Sequence, residues 1–482
     1  MIFRVRSAGK PQLLFGVASV LAALPVAVCA QESELPVAQD AADLPDPDGD
    51  PLALDFAQDP ILNLARGAAD VEQFRRIVVG ALQENATRRE AEARVDLAEA
   101  QVAEARAGFE PKVDLSLNSF RTITRNFGDD PFNLVERSRP KNRTDALAEV
   151  EYLIFDFGAI NTAIAAAEAR LKAAGHERDA AATRIVSEVV TTWYSVFAYQ
   201  SLVRLSEGFV AAQDDIEAAV ERRIAQGVSA PSEKARVAAL RAEGEIRLAQ
   251  SRRRLASAEA RFRELTGMEA PPLLRRAPLL EAGRYSRDFV IAAAGEAPEV
   301  QSAEALAQAA RIDVSNSRAS QAPRIAARVD AGRYGVFEDR EDYDVRASVN
   351  LRYRLFGGGG RARIDQARAR ADAATASADR VRQESEREAA IVWADVEALE
   401  QQLAALEASY RSARQTRDVV FRRFAALRGS LFDVSEAQSA YLAAAVAYIE
   451  GLTELDAARY LLLARTGRLL DLFEREGGNA EQ

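Results

Sequence analysis

The second half of this chain repeats the first, with a repeat unit of about 200 residues, far longer than the periods of solenoid arrays. Four correspondences carry the repeat. Phe109-Glu110-Pro111-Lys112-Val113 matches Gln321-Ala322-Pro323-Arg324-Ile325. Tyr152-Leu153-Ile154-Phe155-Asp156-Phe157-Gly158 matches Tyr353-Arg354-Leu355-Phe356-Gly357-Gly358-Gly359. Trp193 matches Trp393, the two tryptophans of the chain, and Leu265-Thr266-Gly267 matches Arg465-Thr466-Gly467. Alanine-rich helices resemble one another by chance. Chance does not put a proline, a strand-to-glycine junction and a tryptophan in the same order twice. Each half therefore reads as helix, strand, strand, very long helix, helix.

The long helices are legible from what they lack. There is no proline between Pro140 and Pro231, and none after Pro323. Residues from about Ala159 to Gln226 suit one helix of ~100 Å at 1.5 Å per residue, and its counterpart runs from about Arg361 to Leu427. Val392, Val396, Leu399, Leu403, Leu406, Tyr410 and Ala413 form one heptad seam. In the first repeat Ile185, Val189, Thr192, Val196, Tyr199 and Val203 form another, flanked by Val186, Val190, Trp193 and Phe197. Two adjacent stripes imply neighbours on two sides, as in the wall of a cylinder. A single seam also suits a plain coiled-coil rod, so the strands must decide.

From Tyr343 to Leu355 the residues alternate without a break. Tyr343, Val345, Ala347, Val349, Leu351, Tyr353 and Leu355 point one way; Asp344, Arg346, Ser348, Asn350, Arg352 and Arg354 point the other. Period-2 alternation of this kind makes one apolar and one charged face. The two tyrosines at its ends have about the spacing of the aromatic girdles on a barrel strand in an outer membrane. Ala146, Ala148, Val150, Tyr152 and Ile154 oppose Asp145, Glu149 and Glu151 in the same way, and Val113, Leu115 and Leu117 oppose Asp114, Ser116 and Asn118. Strands are thus expected over about 112–126, 143–156, 324–337 and 343–356. Four strands cannot close a barrel, so the chain must oligomerise to pair its sheet edges in lipid. The fold class expected is mainly α with a small β part: long helices in two tandem repeats, each adding two strands to a barrel.

The remaining segments bound the function. Arg4, Arg6 and Lys10 precede an apolar run from Leu13 to Val28, and Val28-Cys29-Ala30 suits a cleavage site; residues 1–30 are read as an export signal. Cys29 admits a second reading, lipid attachment, although Val28 is larger than the small residue that usually precedes a lipidated cysteine. Residues 31–70, rich in Pro, Asp and Ala, are expected to be a disordered linker that buries no core. The two repeats span 71–267 and 298–467, joined by a linker at 268–297 and followed by a tail at 468–482. With one cysteine and one histidine, His176, no disulfide, cysteine metal cluster or Ser/His/Asp constellation can be assembled. No catalytic residue, metal or cofactor is expected. The formal net charge of −10 and the absence of a basic run leave nucleic acid without a binding surface.

These features together resemble the TolC-like family of outer-membrane efflux and secretion proteins, over about residues 72–470. The most specific elements are the junctions Leu153-Ile154-Phe155-Asp156-Phe157-Gly158 and Leu355-Phe356-Gly357-Gly358-Gly359, similar to the family's Pro-Leu-Phe-Asp-Gly-Gly; Ile154 and Arg354 stand where the family has proline. The glycines Gly158, Gly357 and Gly358 are read as turning a tilted strand into an upright helix. Gly357–Gly360 is not a phosphate cradle, because Arg361-Ala362-Arg363 follows and no Gly-Lys-Ser/Thr ending is present. The resemblance implies a homotrimer with a twelve-stranded barrel in outer-membrane lipid and a twelve-helix tunnel in the periplasm of a Gram-negative bacterium. It also implies docking, through a periplasmic adaptor, to an inner-membrane pump, either an ABC exporter or a proton-driven transporter.

Two helix-to-helix turns are expected at the periplasmic tip, one with Gly227, Ser229 and Ser232, the other with Arg428, Gly429 and Ser430. They are the expected adaptor contacts. The second turn, running on through Phe432-Asp433-Val434-Ser435-Glu436-Ala437, resembles the family's Gly-x-Arg-Thr-x-x-Asp-Val-x-Asp-Ala, which places the acidic ring of the aperture at Asp433 and Glu436. Arg428 stands one place before the family's arginine. The alternative for Asp433 is a charge complementing the start of a helix. A periplasmic adaptor and a structural coiled-coil protein are the rival functions. The C-terminal run around Tyr441-Leu442 and Tyr448-Ile449 leans slightly towards the secretion branch of the family.

Overall fold

The computed structural model describes residues 44–48, 51, 53–125, 132, 134–279, 284–338 and 342–474; the expected signal and Cys29 lie outside the described residues. Helices α1 (Pro60–Asn63), α2 (Val71–Glu84) and α3 (Ala86–Arg106) lead to strand β1 (Lys112–Arg121). A short helix, α4 (Leu134–Ser138), and strand β2 (Asn142–Phe155) come next, then α5 (Ala159–Ala225) and α6 (Ser232–Thr266). After α7 (Arg287–Ala294) the order recurs with α8 (Pro298–Ala319), β3 (Arg324–Tyr334), β4 (Asp342–Arg352), α9 (Gly360–Ala425) and α10 (Leu431–Arg465), and α11 (Asp471–Glu474) follows. The long helices α5 and α9 have 67 and 66 residues. Among the described residues, no helix is long and apolar enough to cross a membrane.

The strands form one antiparallel sheet in the order β1-β2-β3-β4. Its register sorts the side chains by face. Leu115 lies opposite Ala148, Ala148 opposite Ala331, and Ala331 opposite Val345, so this row of one face is apolar right across the sheet, and toward one end Arg333 joins that face opposite Ala146 and Tyr343. The other face carries Asp114, Glu149, Asp330 and Arg346 in the adjacent positions. There Arg328 stands 3.0 Å from both Glu149 and Glu151. One site on this face is packed with apolar groups: a Cβ on Gly332 would lie 3.0 Å from Leu147 Cδ2 and 2.9 Å from the Tyr334 hydroxyl, so glycine makes the room. Among the described residues nothing covers the apolar face; Leu115 is 82% and Val349 69% exposed. Val349→Arg is expected to lower the yield of assembled protein by a step corresponding to ~2–4 kcal/mol, the cost of a charge near the midplane of a bilayer. Ser348→Arg, on the charged face, should assemble normally. Equal yields, measured by gel mobility of the unheated protein in detergent, would mean that Val349 does not face lipid, and a loss confined to Ser348→Arg would mean that the two faces are the other way round.

The strand ends differ from the expected ones. β1 stops at Arg121, and β3 stops at Tyr334, before Gly335 with its left-handed φ of +71°. β4 stops at Arg352, four residues short of 356. The reason is topological: Arg352 lies opposite Arg324, the first residue of β3, so β3 has no residue left to pair with residues 353–356. β2 has no such limit and reaches Phe155.

The strand-to-helix junctions are solved twice by different chemistry. In the first, the Asp156 carboxylate accepts from the amides of Gly158 (3.0 Å) and Ile160 (2.7 Å), and Gly158 takes φ +84°. In the second there is no acid, and Gly357, Gly358 and Gly359 take φ of +81°, +70° and +65° in succession, a path that would cost ~1–2 kcal/mol for each residue with a Cβ.

The tryptophans hold the linker between repeats. Trp193 Nε1 donates to the Arg275 carbonyl and Trp393 Nε1 to the Tyr285 carbonyl, both at 2.9 Å. Around Trp193 lie Phe74, edge-on at 5.1 Å, and Phe262. The expected tail also contributes, because Phe473 of α11 packs 6.0 Å from Phe74. Nearby, Asp456 is fully buried against Arg276.

The linker expected over 31–70 is corrected by its described part. Its described residues, 44–48, 51 and 53–66, form a packed strap. Ile61 and Leu62 enter a core with Leu202, Leu205 and Phe209 of α5, Tyr410 of α9, and Tyr441 and Ile449 of α10. Asp59, 1% exposed, caps α1 by accepting from the amides of Ile61 (2.9 Å) and Leu62 (3.0 Å). It also accepts from the Tyr410 hydroxyl at 2.9 Å and pairs with Arg414. Tyr410 and Tyr441 lie with their hydroxyls 3.2 Å apart; burial pushes Tyr441 up to about 12 and Tyr410 higher still, so both stay protonated. Further along, Arg417 donates to the Pro45 carbonyl (2.9 Å), and Asp418 accepts from the Asp48 amide at 3.4 Å. Leu44 sits where a Cβ on Gly208 would clash, 2.8 Å away. Average composition is polar here, but a few apolar residues and one buried acid are enough to dock a strap.

Candidate channel gate

The two helical hairpins, α5–α6 and α9–α10, each end in a tight turn. After α5 the amide of Val228 donates to the Arg223 carbonyl (2.9 Å) and that of Gly227 to the Ile224 carbonyl (2.9 Å). After α9 the amide of Arg428 donates to Arg423 (2.9 Å) and that of Leu427 to Phe424 (3.0 Å). Both are Schellman closures, which require a left-handed residue just past the helix. In the first that residue is Gly227, φ +73°; in the second it is Leu427, φ +63°. A non-glycine side chain in this conformation costs ~1–2 kcal/mol. Gly429 is also left-handed, at φ +89°.

A single buried arginine ties the two turns together. Arg223, near the end of α5, is 6% exposed. Its Nε donates to Ser229 Oγ at 3.0 Å in its own turn. Its Nη1 donates to the Phe424 carbonyl (3.1 Å) and its Nη2 to the Gly429 carbonyl (3.2 Å) in the other. The guanidinium also lies 4.3 Å from the centre of the Phe424 ring. Beneath it Ile216, Val220, Val237, Phe424, Leu431 and Val434 form a small apolar core between the hairpins. Arg236 of α6 stacks on Phe432 of α10 at 4.9 Å.

Gly227, Ser229, Gly429 and Ser430 are all used in the turns. Ser232 is the exposed first residue of α6, and Arg428 is exposed and contributes its backbone to the second closure. Ser430 caps α10 reciprocally: the Asp433 amide donates to Ser430 Oγ (3.2 Å), and the Ser430 amide donates to Asp433 Oδ2 (3.1 Å). Asp433 therefore does serve the helix start. It remains exposed, as does Glu436 one turn on, and residues three apart share a helix face. Arg223 and Leu427 were not singled out. Nothing in the sequence separates Arg223 from its neighbour Arg222. Leu427 was open to discovery, because the repeat sets it at the place of Gly227. Among the described residues no group of His, Cys, Asp and Glu is placed to hold a metal ion.

A four-stranded sheet with an apolar and a charged face, continuous with long helical hairpins whose far turns are tied together by Arg223, is the architecture of an outer-membrane channel chain. The chain belongs to the outer membrane efflux protein family, whose sequence profile matches residues 77–268 and 291–468. It is an outer-membrane channel, the exit duct of an efflux system, and the family is one of transport ducts, not enzymes. The adaptor reading has no support. The fold is similar to that of a membrane protein from Pseudomonas aeruginosa, at 22% identity over 88% of this chain and 96% of that one, with a TM-score of 0.73. It is also similar to the outer membrane protein VceC of Vibrio cholerae (18%; 84% and 97%; 0.72) and to the open state of the Neisseria gonorrhoeae MtrE outer membrane channel (17%; 91% and 96%; 0.69). No curated protein sequence matches the chain.

Proposed function

We propose that three copies close a twelve-stranded barrel and a helical tunnel, and that the tunnel is gated where its hairpins turn. The observation that carries this reading is the Arg223 tie, a buried charge spent on holding two hairpin ends together. In the resting channel Asp433 and Glu436 line the narrowest part as rings of carboxylates, and the exposed turn residues, Ser232 and Arg428 among them, meet a periplasmic adaptor that links the duct to an inner-membrane pump. The family match favours efflux over protein secretion, and the pump is then a proton-driven transporter in preference to an ABC exporter.

Rings of like charge at a constriction concentrate potential there. They attract cations, disfavour anions and offer oxygen ligands to hard multivalent cations. In planar bilayers the wild-type trimer is expected to be cation-selective and blocked from the periplasmic side by multivalent cations. Asp433→Asn combined with Glu436→Gln should weaken both properties and leave the trimer intact by light scattering. Asn at position 433 still accepts the capping bond, so the helix start survives. The block should also fade in 1 M salt, where the Debye length is ~3 Å. Wild-type selectivity in the double variant would leave these acids as helix-start charges, and a monomer in detergent would remove the trimer itself.

A further inference from the structure

Within one copy, β1 and β4 are open edges, and their backbone groups need partners in lipid. We propose that β4 of one copy pairs with β1 of the next in a single register, fixed by the internal repeat, that sets Arg354 opposite the partner's Asp114. The inference rests on the closed barrel proposed above and adds its seam.

The repeat maps β1 onto β3 by the match of Pro111 with Pro323, 212 residues apart, and β2 onto β4 by the match of Tyr152 with Tyr353, 201 apart. The mapping can be checked inside the copy. Lys112 lies opposite Glu151, and the two shifts turn that pair into Arg324 opposite Arg352, which is the observed pair. The β2–β3 pairing is where one repeat's second strand meets the other's first strand. The seam between copies is a meeting of the same kind. Shifting the observed β2–β3 pairs therefore gives the seam. Val150 with Val329 becomes Leu351 with the partner's Leu117. Glu149 with Asp330 becomes Asn350 with the partner's Asn118. Leu153 with Ala326 becomes Arg354 with the partner's Asp114.

Three features of the chain agree with this register. The translated pairs keep each face consistent: Leu351 and Leu117 are apolar, Asn350 and Asn118 polar, whereas a slip of one residue would reverse the faces. Sizes also complement. Leu147 faces Gly332 within the copy, and at the seam the small residue is Ser348 and the large one the partner's Phe120. Last, the register accounts for the short β4. The final residues of β2, Tyr152–Phe155, lie beyond β1, whose pairing ends at Glu151, and are held by β3 alone. Their counterparts, residues 353–356, are the ones missing from β4, with Leu355 72% and Phe356 93% exposed. The partner's β1 is what would hold them.

Directly opposed residues have Cβ atoms ~4.5–5.5 Å apart and diagonal ones ~7–8 Å, while a disulfide needs ~3.5–4.5 Å. In a Cys29→Ala background, Asn118→Cys with Asn350→Cys, and Ser119→Cys with Val349→Cys, sample the two alternating kinds of opposed pair. At least one should oxidise to covalent trimers. It should do so about tenfold better than the slipped pairs, Asn118→Cys with Ser348→Cys and Asn118→Cys with Arg352→Cys. Trimers are counted by light scattering before oxidation. If trimers form but a slipped pair links best, or none links, the register is wrong and the barrel stands. If no trimers form, the barrel reading fails first. Independently, Arg354→Asp should lower trimer recovery several-fold, and adding Asp114→Arg should restore it; recovery unmoved by the reversal, or not restored by the exchange, overturns the pair.

Discussion

Arg223→Ala is expected to open the channel. The arginine makes two charge-assisted hydrogen bonds to the opposite turn, at Phe424 and Gly429, and one to Ser229 in its own. Bonds of this kind contribute ~1.5–3 kcal/mol each. They share one side chain and do not add in full, so the loss is ~3 kcal/mol, which shifts a closed-to-open ratio by about 100-fold. The variant should show a larger mean conductance and longer open dwell times in planar bilayers, with trimer content unchanged. Arg223→Lys keeps the charge without the planar fork, which cannot then reach two carbonyls and a hydroxyl together. It should lie between the two. A conductance distribution identical to wild type in Arg223→Ala would show that the hairpins are held elsewhere, by the apolar core around Val237 and Phe424.

Asp59→Ala is expected to release the strap. The substitution leaves Arg414, which is buried, without its carboxylate, and breaking a buried ion pair from one side costs ~3–5 kcal/mol. It also removes the cap of α1 and the acceptor of the Tyr410 hydroxyl. Those losses fall on a segment of about twenty residues, so the expected outcome is local undocking ahead of global unfolding. The amides of Ile61 and Leu62 should lose hydrogen-exchange protection by several orders of magnitude, and protease should cut near Arg66. Asp59→Asn, which can still cap, should lose less. Unchanged protection at Ile61 and Leu62 in Asp59→Ala would show that apolar contacts alone seat the strap.

The sheet was legible because its signal is local. Tyr343 to Leu351 announce their two faces by alternation, and the faces found are the ones expected. What failed at the end of β4 was not the pattern, which continues to Leu355, but the pairing: β3 begins at Arg324, opposite Arg352, so no described strand faces the last residues. The strap was misjudged by averaging. Residues 31–70 are polar as a group, yet Asp59-Pro60-Ile61-Leu62 carries a capping acid and a proline at the first helical position, both recognised helix-start signals. At the turns, Gly227, Gly429 and Ser430 were legible from turn chemistry. Arg223 was not, since its burial is created by Phe424 and Gly429, some 200 positions away. Asp433 was readable in two ways, and the capping bond with Ser430 establishes one of them without displacing the other.

The height at which the strap crosses the helices limits how the gate can move. It clamps α5 near Gly208 and Phe209 and α9 near Arg417 and Asp418, so the hairpins cannot part at that level while it is docked. Below the strap the lever is held by the apolar core and Arg223, over ~24 Å along α5 from Phe209 to Ala225 at 1.5 Å per residue. A tilt of about 10° at such a fulcrum displaces the tip by only ~4 Å. In the trimer proposed above, three such strokes would widen an iris by a few ångströms, a stroke that suits ions and small solutes. Passing anything bulkier through that proposed gate would require a steeper swing or a lifted strap, which would make the strap the stop that sets the aperture's travel.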